Sequence, residues 1–323
     1  MTTNPPPFDA ELAAALATTG LTSIVTGITL DTLAAERDAL LENVPTVAQL
    51  AEDGRFHVEE MTAPGPEGAP DVSLLVIRPK TLKGSRPIIY HAHGGGLMMG
   101  NNRYGIDPVL EWAAELDLVV VSVEYRLAPE HPFPAGTEDA YAGLVWTAQH
   151  AQELSGDPRR IILAGGSAGG TIAAALALLA RDRGEVGVLG QLLMYPMLDN
   201  RNETVSSHQM LGLGIWDRVS TQTGWSAWLG NTAADSDVSP YAVPGRAQDL
   251  SGLAPTFLEV GSAETFRDEV VAFAGRLWEA SGDAELHVWP GAFHAFDFLS
   301  PQALVSQRST AARLQWLRRL LGE

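Results

Sequence analysis

The chain has 323 residues, 46% of them hydrophobic and 19% charged, with a net charge of −18 at pH 7 and no cysteine. Its only lysines are Lys80 and Lys83, and no basic patch forms, which argues against nucleic acid or an anionic membrane surface as a partner. The missing cysteines exclude a disulfide framework, a thiol nucleophile and thiolate metal sites, and the length suits one α/β domain with an insertion or two domains.

In chain order, Met1–Pro7 has neither the basic nor the apolar segment of an export signal, so a cytoplasmic location is expected. Asp9–Thr18 and Thr32–Leu41 read as helices joined by Gly/Thr-rich turns. Residues 54–63 and Asp71–Pro79 read as strands around the Pro/Gly-rich loop Ala63–Pro70. The apolar run Pro87–Ala92 is a strand that ends in His93-Gly94-Gly95-Gly96, and helical spacing resumes over Pro108–Leu116. Leu118–Val123 is β-branched without alternation, as in a strand buried on both faces of a parallel sheet. Then come helix Glu138–Glu153, strand Ile161–Leu163, helix Ala168–Arg183 and strand Gln191–Tyr195. Strand Thr256–Val260, helix Arg267–Ser281, strand Glu285–Trp289 and helix Pro301–Leu321 complete the chain. From residue 86 strands and helices alternate, which predicts a mostly parallel sheet with helices on both faces. Residues 200–250 interrupt that alternation, hold no strand-like run, and are rich in Trp, Met and Leu.

The junction Arg160–Thr171 carries the sharpest signal. Gly165-x-Ser167-x-Gly169 follows a strand and opens a long Ala/Leu stretch, the pattern of a nucleophile elbow. Such a turn lifts the serine hydroxyl clear on a strained backbone, and its neighbours two residues away must lack bulk. The helix N-terminus aimed at the serine adds a positive dipole end suited to a developing oxyanion. A phosphate-cradling loop is the first rival, but neither G-x-x-x-x-G-K-[ST] nor G-x-G-x-x-G is present. A membrane span is the second, because Ile161 to Ala180 is uncharged, yet its Gly/Ser knot and Ala-rich remainder fit a buried strand and helix better. The third is a plain Gly-rich turn, which only partners elsewhere in the chain can exclude.

Those partners are present. The three glycines after His93 let backbone N–H groups crowd a ligand atom, so the N–H groups of Gly95, Gly96 and Ala168 form the candidate oxyanion hole. His93 and Gly94 support that loop, the His93 ring through hydrogen bonds. His91 and His93 face the same way on one strand, but no companion ligand pattern accompanies them, so no metal and no cofactor is expected. Among the eight histidines, His294 lies in a loop just past the last strand, where the base of a Ser, acid, His order belongs. His57, His131, His150, His208 and His287 read as structural or solvated. The acid must lie past strand Thr256–Val260, where Glu264 occupies the loop. Asp268 and Glu269 open the next helix, whose dipole alone accounts for acids there. Of the insertion's apolar residues, Met210, Leu211, Leu213 and Trp216 are candidates for an acyl or alcohol pocket.

His93–Gly96, Tyr125-Arg126-Leu127-Ala128-Pro129-Glu130, Gly165–Gly170, Arg267-Asp268-Glu269 and the Gly291-x-x-His294 loop, in this order and at these intervals, resemble the hormone-sensitive-lipase family of bacterial esterases (bacterial family IV) over about residues 70–322. The resemblance implies an eight-stranded α/β-hydrolase sheet in a catalytic domain of residues 51–323. It also implies a helical cap built from residues 1–50 and an insertion at about 200–250, and cofactor-free hydrolysis of small-molecule, short-chain acyl esters, with homodimers common. Glu130 is taken as structural, bracing the Gly loop. Two positions depart from the family pattern: Gly166 stands where Asp is common, and Glu264 where the triad acid is usually Asp. The mechanism implied is attack by Ser167, proton transfer to His294, orientation by Glu264 and an acyl-enzyme. Amide or carbamate hydrolysis is the alternative within enzymes. Outside them stands a non-catalytic ligand-binding protein of the same fold, which the presence of both Ser167 and His294 disfavours.

Overall fold

The computed structural model describes residues 4–18, 27–52, 54–81, 83–230 and 237–323. The predicted Gly/Thr-rich connection at 19–26 therefore lies outside the described residues, as does the start of the predicted N-terminal segment. Eight strands form one sheet: β1 (Phe56–Ala63), β2 (Val72–Pro79), β3 (Arg86–Ala92), β4 (Val119–Val123), β5 (Gly156–Gly166), β6 (Gly190–Met194), β7 (Thr256–Gly261) and β8 (Ala284–Trp289). Their spatial order is β1-β2-β4-β3-β5-β6-β7-β8. The β1–β2 and β2–β4 pairs are antiparallel and every other pair is parallel, the sheet that the resemblance implies.

Burial explains the central strands. Every residue of β4 is buried, as is all of β3 beyond Arg86, because helices cover both faces. The helices are α1 (Ala10–Thr18), α2 (Leu33–Leu41), α3 (Val47–Glu52), α4 (Asp107–Leu116), α5 (Ala135–Gln149), α6 (Ala168–Arg183), α7 (Val205–Gln209), α8 (Arg218–Leu229), α9 (Arg267–Glu279), α10 (Phe296–Leu299) and α11 (Leu304–Leu321). Helix α6 is buried without interruption from Ala168 to Ala180, which accounts for its uncharged sequence and its reliance on alanine. Its first charges, Arg181, Asp182 and Arg183, appear in the last turn, where the two arginines suit the dipole before Gly184 ends the helix in a left-handed conformation. Among the described residues no helix is long and apolar enough to cross a membrane.

Several boundaries differ from the sequence reading. Strand β5 begins five residues before Ile161, because the polar start Gly156–Arg160 continues the ladder from Arg86↔Gly156 although Pro158 and Arg159 are exposed. Helix α5 stops at Gln149 rather than Glu153, since the chain turns there and the Gly156 N–H returns to the Ala151 carbonyl. Helix α11 starts at Leu304, residues 301–303 being taken up by a turn. The insertion between β6 and β7 carries α7 and α8. These helices are N-capped by Thr204, whose hydroxyl accepts from Ser207 N–H, and by Asp217, whose carboxylate accepts from Ser220 N–H.

The register fixes where the site is built. Ala92 pairs with Gly165 and Gly261 with Trp289, so the segments leaving β3, β5, β7 and β8 all emerge at the sheet's carboxyl edge. The N-terminal residues lie over the same edge. Asp9 N–H donates to the Gly291 carbonyl at 3.0 Å. Phe8 meets Phe293 edge-on at 5.6 Å between ring centroids.

Candidate active site

Ser167 sits between β5 and α6 at φ 57°, ψ −123°, a conformation rare for a side chain with a Cβ. Two glycines make the turn sterically possible. A Cβ on Gly165 would stand 2.2 Å from the Gly169 carbonyl oxygen, and one on Gly169 2.1 Å from that of Ala92. The turn is tied down by Ser167 N–H to Met194 O at 2.9 Å and Met197 N–H to Ser167 O at 3.1 Å. These bonds come from the segment leaving β6, so the elbow cannot relax without disturbing the sheet's centre.

A continuous hydrogen-bond chain runs from the serine. The His294 Nε2 is 2.9 Å from Ser167 Oγ, and His294 Nδ1 is 3.1 and 3.2 Å from the two oxygens of Glu264. A carboxylate only accepts, so it holds the proton on Nδ1 and leaves Nε2 as an acceptor for the serine hydroxyl. Glu264 has no solvent exposure, and its Oε1 also accepts from Phe266 N–H at 3.3 Å. The two loops carrying these residues are packed tightly together. Ala263 N–H donates to Ala292 O at 3.0 Å and Gly291 N–H to Ser262 Oγ at 2.8 Å, while a Cβ on Gly261 would sit 2.0 Å from Ala292 O. Three aromatic rings enclose the imidazole: Tyr195 at 5.0 Å and Phe266 at 5.2 Å, both edge-on, and Trp216 at 6.2 Å.

The Gly loop follows β3 directly beside the elbow, with the Cβ position of Gly94 only 3.6 Å from Ser167 Cβ. Gly95 and Gly96 have φ of 111° and 64°, and neither has room for a side chain: a Cβ would stand 2.2 Å from Met99 O and 2.3 Å from the Trp216 ring, respectively. The N–H groups of Gly95, Gly96 and Ala168 donate to no acceptor among the described residues. His93 is buried, donates from Nδ1 to Gly94 O at 2.8 Å, and stacks on Tyr125 at 4.2 Å, while the Tyr125 hydroxyl donates to His93 O at 2.7 Å. Burial pushes the His93 imidazole down to about 4 and that of His91 to about 3, so both rings are neutral at physiological pH. His91 spends its Nδ1 on Ser122 Oγ at 2.8 Å. Among the described residues no group of three or more His, Asp or Glu side chains could hold a metal ion.

Asp268 and Glu269 do more than the helix dipole requires. Asp268 accepts from Ser206 N–H at 2.8 Å and thereby fastens the insertion to α9. Glu269 is buried and accepts from Leu198 N–H at 2.6 Å; burial holds its carboxyl well above the usual range. Neither bonds to His294. The predicted pocket residues divide as well. Trp216 lies against Gly96 and near His294, and Met210 is buried with its Cε 3.4 Å from the Cβ position of Gly214. Leu211 and Leu213, in the turn after α7, are 55% and 38% exposed. Trp225 and Trp228 are buried core residues, Trp228 donating to Ala242 O at 3.2 Å. Of the remaining histidines, His208 pairs with Glu203, His287 with Glu285, and His150 stacks on Trp146, while His57 and His131 are exposed.

Several groups escaped the sequence reading. Tyr195, at φ 37°, turns its ring onto His294 and donates its hydroxyl to Asp297 at 3.0 Å. Asp297 in turn receives the guanidinium of Arg313, a fully buried cation that also pairs with Glu259. Glu130, predicted to brace the Gly loop, does so through an intermediary. Its carboxylate takes both terminal nitrogens of Arg37 at 2.7 and 2.8 Å, and Arg37 Nε donates to Met98 O at 2.7 Å.

Residues 89–298 match the family model described as the alpha/beta hydrolase fold. The chain belongs to that family. It is 36% identical over 290 residues to the carboxylesterase NlhH of Mycobacterium tuberculosis, covering 88% of each chain. It superposes on the solved structure of bacterial heroin esterase with a TM-score of 0.88 at 38% identity, covering 97% of this chain and 98% of that one. Against esterase LipW from Mycobacterium marinum the TM-score is 0.87 at 33% identity, with 99% of each chain covered. The chain is thus an α/β-hydrolase of the hormone-sensitive-lipase type and a carboxylic-ester hydrolase.

Proposed function

We propose that this hydrolase cleaves short-chain acyl esters through an acyl-enzyme, with Ser167 as nucleophile, His294 as general base and Glu264 as the orienting acid. The observation that carries the reading is the chain Ser167 Oγ–His294 Nε2–Glu264, at 2.9 and 3.1 Å, in the turn beside a Gly loop, with the N–H groups of Gly95, Gly96 and Ala168 donating to no acceptor among the described residues. In this reading His294 Nε2 takes the hydroxyl proton as Ser167 Oγ bonds to the ester carbonyl carbon. The resulting oxyanion receives the N–H groups of Gly95, Gly96 and Ala168. The imidazolium returns its proton to the alkoxide as the C–O bond breaks, and the alcohol leaves. Water then repeats the sequence on the acyl-enzyme, restoring Ser167 and releasing the acid.

The N-terminal helices and the insertion at about 200–250 act as the cap in this reading. Ser167 is only 7% exposed and Trp216 backs the Gly loop, so an acyl chain there is covered rather than open to solvent, which in this reading favours short chains. The test is a panel of p-nitrophenyl esters of rising acyl length, run with and without EDTA, beside Ser167→Ala and a matching p-nitroanilide. Turnover is expected to peak between acetyl and hexanoyl, to survive the chelator and to vanish in Ser167→Ala. Better turnover of long-chain esters would remove the cap reading, full activity in Ser167→Ala the nucleophile, and faster cleavage of the anilide the ester preference.

A further inference from the structure

The turn that carries the candidate oxyanion donors is not self-supporting. Gly95, Gly96 and Leu97 all have positive φ, at 111°, 64° and 65°, and Leu97 has a Cβ that disfavours it. Within the turn, only the Met98 and Met99 N–H groups returning to Gly95 O at 3.1 and 2.9 Å hold its shape. Support comes from two other segments. Ala128 N–H donates to Leu97 O at 3.0 Å. Arg37, on α2 and some sixty residues earlier in the chain, donates from Nε to Met98 O at 2.7 Å and from a terminal nitrogen to Ala128 O at 2.8 Å. One planar guanidinium therefore spans the turn and the segment that braces it, and Glu130 fixes the guanidinium from its far side with two bonds at 2.7 and 2.8 Å.

The geometry points to Arg37 as a positioning residue for ester hydrolysis: a clip by which the N-terminal segment holds the Gly95–Met99 turn in the conformation that aims its N–H groups beside Ser167. The pair is not an ornamental surface ion pair. Its partners include two backbone carbonyls, and its side chain is 25% exposed against 54% for Glu130, so the fork faces inward. A lysine cannot replace it, because a single ammonium on a flexible stem cannot span Met98 O, Ala128 O and Glu130 in one plane. Arg37 touches no reacting atom. Its effect passes through the loop, and so weighs on the step in which charge develops rather than on binding of the neutral ester.

This inference rests on the proposed roles of Ser167, Gly95 and Gly96, and the experiment separates the two. Arg37→Ala and Arg37→Lys are compared with the parent enzyme and Ser167→Ala in kcat and KM for p-nitrophenyl acetate. Affinity for an aryl trifluoromethyl ketone, which adds to the serine as a hemiketal oxyanion, and the thermal midpoint are measured on the same proteins. Arg37→Ala is expected to lower kcat at least about tenfold, with KM within about threefold, and to weaken the ketone by the same factor as kcat/KM, as loss of aligned oxyanion donors does. Arg37→Lys should fall between. If Arg37→Ala does not fold, Arg37→Lys carries the same comparison. A folded variant with unchanged kcat and ketone affinity, lower only in its thermal midpoint, would make Arg37 a purely structural tie. A rise in KM alone would move its role to substrate admission and overturn the inference. Activity surviving in Ser167→Ala would instead refute the nucleophile assignment, whatever the Arg37 variants do.

Discussion

Replacing Glu264 by Gln tests the triad most directly. The carboxylate is fully buried with both oxygens 3.1–3.2 Å from His294 Nδ1, and it receives Phe266 N–H, so an isosteric amide keeps the packing. What changes is the proton. The amide nitrogen can donate to Nδ1, which selects the tautomer with hydrogen on Nε2, and that hydrogen then points at Ser167 Oγ. An imidazole in that state cannot accept the serine proton, and its cationic form has lost its counter-charge. The comparable acid-to-amide change in serine proteases costs about 10⁴ in kcat, or about 5.5 kcal/mol at about 1.4 kcal/mol per decade, and a fall of about 10³–10⁴ is expected here. Asp268→Asn should behave differently. It weakens the bond to Ser206 N–H and the pair with Arg267, a cost of about 0.5–1.5 kcal/mol in stability with kcat within about threefold. The assay is kcat on p-nitrophenyl acetate together with the thermal midpoint of both variants. If Asp268→Asn abolishes turnover while Glu264→Gln keeps most of it, the acid is Asp268. If both retain activity, a Ser–His pair suffices.

Gly96→Ala should reduce kcat/KM by at least about tenfold, because its Cβ would stand 2.3 Å from the Trp216 ring and its φ of 64° resists a side chain. Adding Trp216→Ala should recover part of that loss, and a strictly additive double variant would contradict the contact. Acid should destabilise the fold through His91 and His93. Their folded pKa values of about 3 and 4 lie below the unfolded value of 6.5, so their contribution is complete above pH 6.5 and is lost as pH falls towards 4. Near pH 5 the unfolded chain binds about two more protons through this pair, a slope of about 2.7 kcal/mol per pH unit, which the raised carboxyl of Glu269 opposes. Urea midpoints at pH 7 and pH 5 measure the slope, and His91→Gln should remove about one proton of it; an unchanged slope in that variant would refute the assignment.

What was legible in the sequence was what adjacent residues decide. The elbow needs Gly165, Ser167 and Gly169 within five positions, and the clashes at 2.2 and 2.1 Å show why the two flanking positions take no side chain. His93–Gly96 likewise carries its own geometry. The order of strand and helix was readable because fully buried strands such as β4 have nowhere to put a polar side chain. Boundaries failed where polar residues continue a ladder, as at Gly156–Arg160, since pairing there depends on Arg86, seventy residues away in the chain. The exposure of Leu211 and Leu213 was hidden for a related reason. Apolar character marks a residue as able to be buried, and the turn after α7 leaves these two partly in solvent.

The parts that stayed hidden are long-range polar contacts, and Arg313 shows how much local signal they leave. Helix α11 carries Arg308, Arg313, Arg318 and Arg319, and charge alone does not distinguish them. Periodicity does. Val305, Ser309, Arg313, Trp316 and Leu317 fall on the buried face, so a cation was available at a core position before any partner was known. A buried guanidinium requires carboxylates. Two acids that the fold brings inward supply them, Glu259 on β7 and Asp297 on α10, with Ser309 and Trp289 completing the Glu259 oxygens at 2.7 and 2.8 Å. Because Asp297 also holds the Tyr195 hydroxyl, and the Tyr195 ring lies edge-on to His294, the terminal helix reaches the imidazole through two side chains. The sequence contains the demand for such a network in the position of one arginine, but only the fold says which acids answer it.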